Sequence, residues 1–407
     1  MSLERRRFGV ISLSGSIAFF LAIAPILDPY IVAEIGSGFT LKVNDVLMIF
    51  FGLIMFSKSS SYDKYTGLLI KWLMGLLIIS IFGNLISSTN LANSMKNLIV
   101  WFIYAFFLMY VWKSPCRDTF FKYAQIIAII AATFVLIQFV CGNLGIPIWD
   151  GRIPGLALGK YDGWSGYIDP NTRDIRPNGL FQEASYVGIY LVVAYAQAFK
   201  EGKMKLLILY AIAMLLTTSM VSIITLVVIT LFLLMKSKKL DLSSKLTRRI
   251  IIVLLLGFAG VVYLSATNEA IGHSVAYVMK RITNLSSDLQ GIRMSSTKYR
   301  LLGHIDLYEH YSIVQKFFGV GIAQYSSFFG VSSYSNVWVT TLLNSGILGV
   351  LFLVCCFFAF AKSIKKDNFV FFLIFILVLS SDYQWFSWYF FYMITACILE
   401  SIEPEQE

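Results

Sequence analysis

Long apolar runs, broken by short polar segments, set the pattern of the chain. They lie near 8–27, 40–57, 66–87, 97–113, 120–141, 180–199, 203–217, 219–235, 249–266, 336–360, 368–381 and 386–400. Each is apolar all round, the mark of a helix with no watery face. A hydrocarbon layer takes about 20 mainly apolar residues per crossing helix, so the pattern predicts an all-α polytopic membrane protein of about 12 transmembrane helices. Unpaired backbone groups are too costly in lipid for other open structures. No internal repeat of fixed period divides the chain, which reads as a single integral-membrane domain over 1–407.

Composition agrees: residues AVILMFWYC make up 57% and DEKR only 14%, a balance no water-soluble domain covers with polar surface. The net charge of +10 raises nucleic acid as a partner. A nucleic-acid groove gathers its Lys and Arg on one solvated face, whereas here they punctuate the apolar runs, so no nucleic acid is expected. Of the 33 Lys and Arg, 20 fall in alternate short segments: Arg5–Arg7, Lys58 and Lys64, 113–122, 200–205, 236–249 and 362–366. The enrichment of cytoplasmic loops in basic residues then puts both termini in the cytoplasm. Met1–Leu27 has the outline of a cleavable signal, but Pro25 directly follows Ala22-Ile23-Ala24 and further runs come soon after, so it reads as the first span. Of five cysteines only Cys141 falls at the outer surface, and no disulfide or CxxC metal site is expected.

This topology leaves two large extracytoplasmic loops, 142–179 and 268–335, and function is to be sought there. The first holds Pro147, Pro154, Pro170 and Pro177, with Trp149, Tyr161, Trp164 and Tyr167. It reads as irregular turns whose aromatics either stack on sugars or form an interfacial belt. It ends in RPNGLFQEAS, Arg176 to Ser185, where a helix is expected to start near Leu180 with Glu183 in its first turn. In the second loop Ser296–Phe317 has helical period, which puts Arg300 and His304 on one face with Tyr311 further along. A glycine turn, FFGVGIAQYSSF, follows, and YSNVW leads into the tenth run.

Arg176 offers a planar fork suited to phosphate beside a helix N-terminus, itself an anion site; an interfacial arginine paired with Glu183 is the plainer account. For Glu183, burial raises a carboxyl pKa and a helix N-terminus lowers it, so both a poised base and a simple helix-stabilising acid fit. Arg173, Arg293, Arg300 and Lys298, with Lys280 and Arg281, compose a cationic bowl for a pyrophosphate head group, or a contact for anionic membrane lipids. Asp45 and Asp382 lie near outer ends of spans. His273, His304 and His310 form no HExxH set, and GxSxG, Walker A and DxD-like sites are absent, so neither metal nor nucleotide cofactor is expected.

The pattern resembles the O-antigen polymerase and O-antigen ligase superfamily of bacterial inner-membrane glycosyltransferases. Four features carry the resemblance: the span layout with two outer loops; RxxGxFxE at Arg176, Gly179, Phe181 and Glu183; the Arg300 segment followed by FFGVGIAQY; and SNVWVTTLLNSGILG. It implies a polymerase that transfers a growing glycan from undecaprenyl pyrophosphate to a lipid-linked repeat unit outside the cytoplasmic membrane, without metal. Catalytic positions would be Arg176, Arg300, Glu183 and His304. Arg173, Arg293, Lys298, Tyr299, Tyr311, Tyr334 and Asn336 would bind substrate, and a flippase and a chain-length regulator would be partners. Ligases of the superfamily carry a histidine before the asparagine that opens the later span, where this chain has Ser335 before Asn336. That departure favours polymerase over ligase. A flippase is the alternative from another class, though the polar mass here is one-sided and Lys71 is the clear midspan charge.

Overall fold

The structure, a computed structural model, describes residues 13–35, 39–56, 64–111, 117–149, 151–159, 176–236, 302–331, 335–382 and 385–399. The ninth apolar run, 249–266, lies outside them, as do Tyr161, Trp164, Arg173, His273, Lys280, Arg281, Arg293, Lys298, Tyr299, Arg300 and Tyr334. Each of the other apolar runs coincides with a helix. These are α1 (Leu13–Leu27), α2 (Val43–Phe56), α3 (Lys64–Ser87), α4 (Leu91–Val111), α5 (Arg117–Asn143), α6 (Ala184–Lys200), α7 (Met204–Leu216) and α8 (Met220–Lys236). Two short helices, α9 (Ile313–Phe318) and α10 (Tyr325–Phe329), precede α11 (Val337–Ser363), α12 (Phe369–Ser381) and α13 (Trp388–Leu399). Four helices, α3, α4, α5 and α11, are long and apolar enough to cross a membrane by length and composition.

Outward faces argue the same way. Ile126, Ile130 and Ile137 on α5, Ile224, Val227 and Leu231 on α8, and Ile347, Leu351, Val354 and Phe358 on α11 are exposed at helical spacing. Contiguous apolar stripes of that extent are a liability in water and ordinary against lipid. The architecture is that expected of a helical membrane protein. Inside, aromatic rings fill the bundle: Tyr190 stacks on Tyr392 at 4.5 Å, and Trp72 meets Trp385 edge-on at 4.9 Å.

The all-α expectation needs one correction. A three-stranded antiparallel sheet, order β2-β1-β3, caps the bundle end where α1 stops: β1 (Tyr30–Ile35), β2 (Phe39–Lys42) and β3 (Ala157–Leu158). Pro29 keeps the chain out of helix after α1, and the Tyr30 hydroxyl donates to Gly151 O at 2.8 Å while Gly159 N donates to Pro29 O at 2.8 Å. The first loop is thereby fastened to the α1–α2 connection.

The second loop departs more. The expected helix over Ser296–Phe317 is, within the described residues, a 3-10 turn (Ile305–His310) and then α9. Gly303, at φ +54, and Tyr311, extended at φ −75 and ψ 140, interrupt it. Ser312 opens α9 with a reciprocal capping box to Gln315. His304 precedes the 3-10 turn, while Arg300, expected to share a helix face with it, lies outside the described residues.

Beyond α9 the chain runs into the bundle as irregular backbone. Many of its backbone groups find partners in the neighbouring helices, as backbone away from water requires. Ile322 N donates to Ser80 Oγ at 2.9 Å, Thr89 and Ser94 donate to the carbonyls of Val320 and Ile322 at 2.6 and 2.7 Å, and Gly321 N donates to Asn344 O at 2.8 Å. Asn344 Oδ1 accepts from Gln324 N and Tyr325 N at 3.1 and 3.2 Å. Ser80 is two turns in from the end of α3, about 10 Å along the axis. In answer, α11 breaks at Gly346, φ 62 and ψ −167.

Candidate functional site

The stretch Arg176–Glu183 owes its shape to a side chain on α5. Gln138 Oε1 accepts from Asn178 N and Gly179 N at 3.1 and 2.7 Å, and its Nε2 donates to Asn178 Oδ1 and Gly179 O at 3.2 and 3.3 Å. Gly179 sits at φ +58, with a Cβ position only 3.0 Å from Val135 Cγ2, so glycine is needed both for the conformation and for the close approach to α5. Asn178 Nδ2 also donates to Phe181 O at 2.6 Å. With these donors held by Gln138, helix cannot begin at Leu180. It begins at Ala184, and Glu183 is its N-cap residue, extended at φ −131 and ψ 149, one position before the first turn in which it was expected. Ser185 Oγ donates to Glu183 Oε2 at 3.2 Å. Gln138→Leu should destabilise the protein by roughly 2–4 kcal/mol, because the buried Asn178 and Gly179 donors lose their acceptor. A thermal melt of the purified protein checks this, and an unchanged midpoint would refute the clamp.

Several chain ends meet at this end of the bundle. Asp28 follows α1 and pairs with Lys42 at 2.9 Å. Burial alone would pull the Lys42 ammonium down, but Asp28, with help from Asp45, outweighs it and raises its pKa. Asp45 in turn accepts from Lys42 N at 3.0 Å and from Tyr104 at 2.7 Å. Asp382 closes α12 and is buried. Trp338 Nε1, in the first turn of α11, donates to Ser380 Oγ at 2.8 Å and so ties the start of α11 to the end of α12.

The second-loop candidates join at α11. Gly303 packs so closely that a Cβ there would lie 2.1 Å from Ser335 Oγ, which brings His304, buried at 7% exposure, within one residue of the Ser335-Asn336 pair. Asn336 is the α11 N-cap: its Oδ1 accepts from Val339 N at 3.0 Å. Tyr311 is buried beside α11. Its hydroxyl donates to Leu343 O at 2.8 Å and its ring stacks on Phe329 at 5.5 Å, so it pins the loop to α11. Arg176 and Glu183 are partly buried at the same end.

Two residues that the sequence reading passed over belong here. Gln138 hides in an apolar run, where a glutamine on a span was the available signal. Tyr389, in the first turn of α13, has its ring 4.9 Å from Tyr186 and 6.3 Å from Phe181, and the charges of Asp28, Glu183 and Asp382 bear on its hydroxyl. The polar SSDYQ stretch just ahead of the last run was its signal.

The opposite end carries a different polar group. Glu201 accepts from Gln125 and Gln197, each at 2.8 Å, and pairs with Lys203 at 2.6 Å. Burial would push its carboxyl up, but the hydrogen bonds from Lys203, Gln125 and Gln197 hold it below the usual range. A cleft of about 500 Å³ at that end is lined by Phe232, Met235, Lys236, Ala361, Ile364, Lys366 and Phe369, away from every candidate residue. Among the described residues no group of three or more His, Cys, Asp or Glu is placed to hold a metal ion.

No family model matches the sequence, and no curated protein matches it. The functional reading therefore stands on the residues and their arrangement.

Proposed function

We propose that the protein is a glycan polymerase of the cytoplasmic membrane, joining undecaprenyl-pyrophosphate-linked oligosaccharide units by glycosyl transfer on the outer side. In this reading about 12 helices span the bilayer, both termini are cytoplasmic, and the Glu183 end faces outward. The observation that carries it is the Gln138 clamp: a permanent cation and a carboxylate on a loop held rigid at the bundle end where Asp382, His304 and Asn336 also gather. Fixed charges on a rigid frame are what stabilise a transition state without reorganisation.

The chemistry follows from the reaction. A bond forms between the acceptor hydroxyl oxygen and the anomeric carbon as the bond from that carbon to the phosphate oxygen breaks, leaving undecaprenyl pyrophosphate. Positive charge grows on the sugar ring and negative charge on the leaving group. Arg176 holds the pyrophosphate, joined by Arg300 from the second loop. Glu183 orients the acceptor hydroxyl and takes its proton. A ligase is the second reading, favoured by His304 lying one residue from the contact of Gly303 with Ser335, the position before Asn336 where the resemblance puts a histidine in ligases. A lipid-linked oligosaccharide flippase is the third.

A glycan gel from a strain lacking the gene separates the three. Polymerase predicts surface glycan stopped at a single repeat. Long lipid-linked chains that never reach their acceptor point to ligase, and loss of all surface repeat points to flippase.

A further inference from the structure

Three helix ends meet at the end of the bundle opposite Glu183, where α8 stops at Lys236, α11 stops at Ser363 and α12 starts at Phe369. The cleft of about 500 Å³ lies among them, and its walls are of two kinds. Phe232, Met235, Ile364 and Phe369 are apolar, while Lys236 and Lys366 bring charge. Met235, 68% exposed, stands four residues after Leu231, 56% exposed, so one wall carries on the outward apolar stripe of α8. The cleft is continuous with a face suited to acyl chains.

The chain around it is strongly basic. Lys362, Lys365 and Lys366 are exposed at the end of α11 and in the turn that follows, Lys236 donates to Lys366 O from α8, and Lys200 donates to Asn368 Oδ1 at 3.2 Å from the end of α6. The carboxylate of the turn is Asp367, 3.5 Å from Lys236 and 89% exposed. A solvated pair of that kind is worth little and leaves the ammonium charged beside the cleft. No vacant lysine is needed. Lys236 keeps both of its contacts, and the excess of these lysines over Asp367 sets the local potential. Lys238 and Lys239, next in the sequence, carry the same sign.

An occupant has to suit both kinds of wall. Free phosphate would leave the apolar side chains unserved, and a neutral lipid would leave the lysines so. The acidic stretch ESIEPEQE, residues 400–407, follows α13 and has the charge, but Ile402 is its one large apolar side chain. An anionic phospholipid brings a phosphate and acyl chains in one molecule, and basic pockets between membrane helices take such head groups.

We infer that the cleft between α8, α11 and α12 binds an anionic phospholipid, with an acyl chain against Phe232, Met235, Ile364 and Phe369 and the phosphate against Lys236 and Lys366. The site stands apart from the glycan chemistry: it requires only that the bundle lie in a bilayer. The lipid joins three helix ends and takes no part in a reaction.

Native mass spectrometry on the full-length protein in detergent tests it, with dioleoyl phosphatidylglycerol, dioleoyl phosphatidylcholine and the chain-free head group glycerophosphoglycerol as probes. Phosphatidylglycerol should bind at least about fivefold more tightly than phosphatidylcholine, and the chain-free head group should not be retained. Lys236→Gln combined with Lys366→Gln should erase that preference. Lys122→Gln combined with Lys205→Gln removes the same charge from exposed positions on α5 and α7 outside the cleft, and should leave the preference intact. All four lysines are exposed, so the two double variants separate charge at the cleft from folding. Equal retention of the two lipids, retention of the chain-free head group, or equal losses in the two double variants would each overturn the site. A protein that takes phosphatidylglycerol only after residues 400–407 are removed would give the cleft to that acidic stretch and overturn it as well.

Discussion

Glu183→Gln is expected to abolish long glycan chains while the protein stays in the membrane at normal abundance. The substitution keeps the size of the side chain and its place as helix cap, where no side-chain cap bond is made to lose. In the proposed mechanism it removes the carboxylate that takes the acceptor proton. General-base loss typically costs about 10²–10⁴-fold in rate, enough to empty the upper rungs of a glycan ladder. Arg176→Ala should do the same through the leaving group, and Arg176→Lys should also fail, because a point charge does not replace a bidentate fork. Glycan gels beside an immunoblot of membranes provide the measurement. A normal ladder in either variant would remove that residue from the site.

The largest effect on stability is expected at the interlock between the second loop and α11. Gly319 and Gly346 lie at φ +71, ψ −158 and φ +62, ψ −167, a region only glycine occupies comfortably. A Cβ at Gly319 would sit 2.3 Å from the Asn344 backbone, and one at Gly346 would sit 2.3 Å from the Phe317 backbone. Backbone cannot swing aside as a side chain can. Conformational strain of about 1–3 kcal/mol adds to overpacking of about 1–3 kcal/mol, so Gly346→Ala or Gly319→Ala should cost roughly 3–5 kcal/mol. Gly330 is the control: it is left-handed at φ +66 but has open space around its Cβ position, so Gly330→Ala should cost about 1–2 kcal/mol. Equal melting temperatures for Gly346→Ala and Gly330→Ala would refute the interlock.

How much of this was legible follows from range. A helix buried in lipid or protein on every side announces itself by a run of apolar residues, so α1–α8 and α11–α13 could be placed from local composition alone. What failed depended on distant partners. The start of α6 moved from Leu180 to Ala184 because Gln138, far back on α5, holds Asn178 and Gly179. The second-loop helix broke because Tyr311 reaches forward to Leu343. The small sheet escaped because β3 is a two-residue strand inside a turn-rich loop. Within the site, Arg176 and Glu183 stood out as charges beside an apolar run, whereas Tyr389 looked like one more aromatic in a span.

The interlock also bears on how the chain is made. The irregular backbone of 319–325 takes partners from Ser80, Thr89 and Ser94, synthesised long before it, and from Asn344, synthesised after it. It cannot settle when it leaves the ribosome. Biogenesis must hold a half-docked segment until α11 arrives, so the last stage of assembly is the closing of a seam between an early pair of helices and a late one. Truncation ahead of Asn344 would strand that seam open, with its backbone polar groups against lipid.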